Sequence, residues 1–192
     1  PTNNPILLII PAFALVLNTR LRVITDELTN PVPCKVATYG ETEDYTINIV
    51  GPVPMAYSSC TTTQTNTSDI GVGALYQQII GVQIVTTGSS SPLSASSFTF
   101  NITGTTSAAD ICNARLWSTG NSSVFATSIM VGNTEASPAG TFTINSGANM
   151  PFTLINGTNY FWLTYDVTST AVVNNYVDAE CTSITIGGIA RT

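Results

Sequence analysis

Histidine is absent from this chain. That gap removes the commonest general base and metal ligand, and with them every Ser–His or Cys–His dyad. A self-contained hydrolase is therefore not expected. Basic residues are also scarce, with Lys and Arg totalling 5 against 11 Asp and Glu for a net charge of −6. A nucleic-acid partner needs a basic stripe to neutralise phosphates, and an anionic membrane surface needs a polybasic segment. Five scattered cations make neither. Charged residues amount to only 8% of the chain while hydrophobic residues reach 43%, the reverse of a disordered composition. Polarity comes instead from hydroxyls and amides. Thr, being β-branched, packs on a pleated surface with its hydroxyl facing water, as in many secreted β-proteins.

An apolar run long enough to cross a membrane is missing too. Ile6 to Leu17 has twelve residues interrupted by Pro11, where a spanning helix needs about twenty, so no membrane insertion is expected. A short continuous apolar run reads better as a pair of buried strands joined at Pro11. The opening Pro1-Thr2-Asn3-Asn4-Pro5 lacks the positive start of a signal peptide, so the chain is expected to be a mature form or an internal piece.

The cysteines are Cys34, Cys60, Cys112 and Cys181, with no CxxC pair among them. Without histidine they do not suggest zinc, and no metal or cofactor is expected. Four cysteines allow three connectivities, and spacing does not choose between them. At least one disulfide suits an exported protein; four separate buried thiols are the alternative.

Along the chain the expected fold is all-β. Segment 1–50 carries strand-like stretches at Ile6 to Ile10, Thr19 to Thr25 and Glu43 to Val50, with a turn-rich Asn30-Pro31-Val32-Pro33 between the last two. Gly51-Pro52-Val53-Pro54 cannot continue a central strand and marks a linker over 51–56. From 57 to 192 strands alternate with turn signals. Gln77 to Thr86 sets Ile80, Val82 and Ile84 against polar neighbours, and Ser97 to Thr103 places Phe98, Phe100 and Ile102 on one face. Phe142 and Ile144 repeat the pattern, Tyr160 to Val167 reads as a central strand, and Ile184 and Ile186 close the series. Turns at Thr87 to Pro92, Thr119-Gly120-Asn121, Ser137 to Gly140 and Asn156-Gly157 separate them. Such a series predicts an antiparallel, immunoglobulin-like β-sandwich following a partial β-domain. Ser107-Ala108-Ala109-Asp110 predicts one helical turn with a capping box.

Two segments resemble known families. Asn18-Thr19-Arg20-Leu21-Arg22-Val23, Pro33-Cys34 and Gly40-Glu41-Thr42-Glu43-Asp44-Tyr45-Thr46 are similar to the second half of a GEVED domain, with Thr42 where the family name has Val. The upstream half is missing, which leaves the partner of Cys34 open. From about Tyr57 to Arg191 the chain resembles the β-sandwich module of the N-terminal region of BNR-repeat neuraminidases. That likeness is carried by Ser59 to Gln64, Gln77 to Val85, Asn156 to Asp166 and Val177 to Gly188. The resemblance implies a large, secreted, multi-domain bacterial cell-surface protein, often exported by the type IX route, and does not imply sialidase chemistry. Cys60 and Cys181 both fall in matching segments, so it favours a disulfide between them and leaves Cys112 unpaired.

Glu41, Glu43 and Asp44 invite a calcium site, since hard cations take clustered carboxylates, but without an Asp-x-Asp-x-Asp loop they read as a solvated strand start. Asp166, Asp178 and Glu180 are discounted alike, and nothing spaces them as a glycosidase pair. Trp117, Tyr160, Trp162 and Tyr165 suit stacking on carbohydrate, yet aromatics in strands of a sandwich usually belong to the core. Trp117, beside a turn, is the candidate for exposure and glycan contact. Sequons at Asn66, Asn101, Asn121 and Asn156 arise readily by chance in a Thr-rich chain.

The expected function is non-catalytic and structural: a subunit or repeat of an extracellular filament or adhesin. Its expected assembly interface is Ile6, Leu7, Leu8, Ile9, Ile10, Phe13, Leu15 and Leu17. Leaving such side chains in water forfeits about 1.5–3 kcal/mol each. Strands from copies of itself or from flanking domains would cover them by β-augmentation. The alternative is a carbohydrate-binding or spacer module of a larger secreted adhesin or glycosidase.

Overall fold

The computed structural model describes residues 7–11, 13–27 and 39–192. Ile6, Cys34 and the Asn30–Pro33 turn lie outside the described residues. The chain forms two compact units, Pro1–Pro52 and Val53–Thr192.

The first unit is a two-stranded antiparallel ribbon. Strand β1 (Asn18–Asp26) pairs with β2 (Gly40–Asn48) in continuous register from Asn18 opposite Asn48 to Asp26 opposite Gly40. Arg22 sits opposite Asp44 and grips it with two hydrogen bonds, Nε to Oδ1 at 2.7 Å and Nη2 to Oδ2 at 2.8 Å. Hydrogen bonding from Arg22 holds the exposed Asp44 carboxyl below its usual range. Gly40 is required where β2 begins, because a Cβ there would collide with the Thr25 carbonyl.

The leading apolar run departs from expectation. Leu7 to Ile10 form no strand, and a turn closed by Ala14 N–H on the Pro11 carbonyl (3.0 Å) precedes β1. These side chains are not buried: Leu7 is 82% exposed, Phe13 88% and Leu15 72%. Pro11 has no N–H to give a ladder, and β1 and β2 pair only with each other among the described residues. Among the described residues no third strand extends the ribbon over the run.

The second unit is an all-antiparallel sandwich. One sheet runs β3 (Ala56–Thr63), β4 (Gln77–Thr87), β10 (Gly157–Val167), β6 (Ile111–Gly120), β7 (Ile129–Ala136). The facing sheet runs β12 (Ile189–Arg191), β11 (Glu180–Ile186), β5 (Ser94–Asn101), β8 (Thr141–Ile144), with β9 (Phe152–Thr153) pairing the start of β5. Alternation drives this layering. Val82, Ile84, Phe161, Leu163, Tyr165, Leu116 and Val131 point inward from the first sheet. Phe98, Phe100, Phe142, Ile144, Ile184 and Ile186 meet them from the second. Phe98 and Phe161 touch across the middle with ring centroids 4.9 Å apart. Each such side chain contributes about 1.5–3 kcal/mol on burial. The outer face of β5 is polar, with Thr99 bonded to Thr143 and Asn101 to Thr141.

Ile102 falls just past the end of β5 and only half-joins the core. The helical turn forms at Ala108–Asp110, with Ser107 Oγ accepting from the Ala109 N–H. Asp110 does not complete a capping box. Its carboxylate is buried and accepts from the Val172 N–H and the Asn175 amide, at 3.1 and 2.7 Å, tying down the loop after β10.

Candidate functional site

In the first unit the expected interface residues Leu7, Leu8, Ile9, Ile10, Phe13, Leu15 and Leu17 are all exposed. They form an apolar tract that leads directly into β1. Leu17 is tied to the ribbon, its carbonyl accepting from the Ile49 N–H at 3.0 Å. The tract is therefore anchored at the ribbon's open end. Among the described residues neither edge of the ribbon meets a further strand, and a lone two-stranded ribbon is marginal in water.

In the second unit the central strand β10 is covered on both faces, because the outer face of its sheet carries an aromatic layer. Trp162 lies opposite Trp117 on β6 and opposite Gly81 on β4. It is only 5% exposed, although it faces away from the main core. Gly81 makes that possible: a Cβ there would stand 2.8 Å from the Trp162 ring and 2.9 Å from Thr63 Oγ1. Phe125 meets Trp162 edge-on at 5.8 Å, and Tyr160 stacks beside it at 6.4 Å. The two indoles also exchange anchors across the strand pair, Trp162 Nε1–H donating to Thr119 Oγ1 and Trp117 Nε1–H to Thr164 Oγ1, both at 2.9 Å.

Trp117 is half-buried, not freely exposed. Tyr76 meets its ring edge-on at 5.7 Å, and the Tyr76 ring also carries the Arg115 guanidinium at 4.9 Å. Arg115 donates to Asp166 Oδ2 at 2.5 Å, Asn113 donates to the same carboxylate at 2.9 Å, and the Tyr76 N–H donates to Oδ1 at 2.9 Å. Burial works to raise the pKa of Asp166. The Tyr76 N–H, Arg115 and Asn113 outweigh it, and the carboxyl is held below its usual range. Asp166 is thus a structural anion pinning the loop before β4, not a free acid.

Three further carboxylates are similarly occupied. Glu43 accepts from the Tyr45 hydroxyl and Asp44 holds Arg22. Asp178 accepts from Gln64 at 2.8 Å and from the Ala179 N–H at 2.7 Å. Among the described residues no three His, Cys, Asp or Glu side chains gather to hold a metal.

Cys60, Cys112 and Cys181 are free thiols. Cys60 and Cys181 nonetheless line one small pocket of about 130 Å³, with Thr61, Thr62, Ser183, Ile184, Arg191 and Thr192. Above it Arg191 of β12 stacks on Tyr57 of β3 at 4.5 Å, joining the two sheets at this edge.

The covered outer face was not anticipated from sequence, though signals existed. An isolated Gly inside an apolar strand, Ile79-Ile80-Gly81-Val82, marks a close approach. A single Asp in the apolar run Leu163 to Val167 calls for a cation, and Arg115 supplies it.

Comparison with known proteins gives two family matches. Residues 1–48 match the GEVED domain, and residues 60–189 match the N-terminal domain of BNR-repeat neuraminidase. No curated protein is significantly similar to the chain. Among solved structures, the Hadza microbial sialidase Hz136 is similar with a TM-score of 0.49 at 13% identity. The match covers 62% of this chain and 27% of that one, so the chain spans little more than a quarter of the sialidase's length.

Proposed function

This chain belongs to the family of N-terminal domains of BNR-repeat neuraminidases, and on that premise we propose that it is a non-catalytic module of a larger secreted bacterial surface protein whose leading tract recruits strands from a neighbouring copy. The observation that carries the reading is the exposure of Leu7, Leu8, Ile9, Ile10, Phe13, Leu15 and Leu17 beside a ribbon whose two edges pair with no other strand among the described residues. Added strands would cover the tract and complete the ribbon by main-chain pairing. Repeated head to tail without closure, the same contact builds a filament. The sandwich supports a structural role, because its buried carboxylates Asp110 and Asp166 are consumed by internal hydrogen bonds. None of the helical residues described is part of a span long and apolar enough to cross a membrane.

Sedimentation across a concentration series tests this, with hydrogen exchange reporting on residues 7–17. Association should rise with concentration, and protection of those amides should rise with it. Strong protection in a dilute monomer would overturn the proposal.

A second reading is favoured by the aromatic outer face. Trp117, Tyr160 and Tyr76 keep part of their rings accessible beside threonine hydroxyls, as glycan-binding surfaces do. Glycan-array binding lost in Trp117→Ala but kept in Trp117→Phe would support it, and a blank array would dismiss it.

A further inference from the structure

The pocket between β3 and β11 holds two sulfurs that the fold brings in from opposite sheets. Cys60 pairs across β3–β4 with Ile84, and Cys181 pairs across β11–β5 with Phe100. Directly opposed residues in an antiparallel pair share a face. Ile84 and Phe100 are both fully buried in the core, so each cysteine points into the sandwich from its own sheet. Both pack against the core and line the same small pocket, whose other walls are mainly short side chains: Thr61, Thr62 and Ser183. Arg191 caps this edge by stacking on Tyr57, and its buried Nε finds no partner.

We propose that Cys60 and Cys181 form a disulfide that clasps the two sheets together at this edge. As the S–S bond forms, the two thiols give up two protons and two electrons. A disulfide-bearing oxidant, such as oxidised glutathione or a thiol oxidoreductase, accepts both and is reduced to two thiols. Burial pushes both thiols up, Cys181 to about 12 with Cys60 adding to the effect, so neither is a resident thiolate. The bond therefore forms while the edge is still open during folding, and is shielded once Arg191 closes over it. It encloses most of the sandwich in one covalent loop, the arrangement in which a cross-link restricts the unfolded chain most.

The test uses the full chain, oxidatively refolded with oxidised glutathione, then denatured in iodoacetamide, digested and mapped by mass spectrometry. The expected result is a peptide joining Cys60 to Cys181, with Cys34 and Cys112 alkylated. Reduction should lower the thermal midpoint by about 10 °C, and the Cys60→Ala/Cys181→Ala double variant should not respond to reductant. Alkylation of both Cys60 and Cys181, a link from either to Cys34 or Cys112, or an unchanged midpoint on reduction would each overturn the proposal.

Discussion

Trp162 occupies the notch left by Gly81, its ring lying where a Cβ on the neighbouring strand would stand at 2.8 Å. The contact brings the ring close against β4, with Phe125 and Tyr160 beside it. Gly81→Ala should therefore destabilise the sandwich by about 1–3 kcal/mol, the usual range for overpacking. Trp162→Leu relieves the clash but forfeits the aromatic layer. In a double-mutant cycle by urea denaturation, the alanine should cost clearly less in the Trp162→Leu background than in the wild type. Equal cost in both backgrounds would show that the ring does not depend on the notch.

Arg115 and Asp166 form the most buried ion pair of the sandwich, with Asp166 only 3% exposed. Removing one partner strands the other, which typically costs about 3–5 kcal/mol. Arg115→Met should approach that figure, and Asp166→Asn should cost less because the amide still accepts from the Tyr76 N–H. The pH dependence follows from the depressed carboxyl. Its stabilisation is complete above the unfolded carboxylate value near pH 4 and is lost as pH falls through the lower folded value. Acid denaturation of Asp166→Asn should accordingly be flatter below about pH 4 than that of the wild type.

Strand β10 was legible because burial on both faces makes Tyr160 to Leu163 apolar without interruption, and β5 because Phe98 and Phe100 alternate with Thr99 and Asn101. Strand β6 was not, since its pattern is inverted. Ser118 points inward and is fully buried, while Trp117 and Arg115 point outward into the second layer. The edge strands β3 and β7 escaped for a different reason: Ala56–Thr63 is mostly hydroxyl-bearing and exposed, so it shows little hydrophobic period. Individual acids were visible in the sequence, but their partners come from distant strands and local spacing could not supply them. The leading run looked like strands because it is apolar. It is coil because the described chain has no third strand to set beside it.

Tyr165 is fully buried, with its hydroxyl donating to the Asp178 carbonyl at 3.3 Å. Burial raises its pKa well above the ordinary value near 10, with Asp178 adding to the effect. A group raised on folding stabilises the protein fully below its unfolded value and loses that contribution as pH rises toward the folded one. Tyr165→Phe should cost about 1 kcal/mol at neutral pH, for the lost hydrogen bond, and should flatten the stability decline above about pH 10. In the reduced chain Cys181 follows the same sign over a lower window, from its unfolded value near 8.5 toward about 12. Alkaline melting curves should therefore begin to fall earlier in reductant than without it. Coincident curves would indicate that the thiol never ionises in the unfolded chain or never escapes its bond.

Phe13 and Leu15 are the most exposed large side chains between the Pro11 turn and β1. Burying each under a neighbour's strands would contribute about 1.5–3 kcal/mol, so replacing both should weaken association by on the order of 100-fold or more. The Phe13→Asp/Leu15→Asp variant should stay monomeric at concentrations where the wild type associates. Its sandwich should keep the same thermal midpoint, because neither residue is among the core side chains of that unit. This pairing of outcomes separates the tract's role in assembly from any role in folding. If the variant associates as strongly as the wild type, the contact lies elsewhere; if its midpoint also drops, the tract packs on its own chain and the strand-recruitment reading fails.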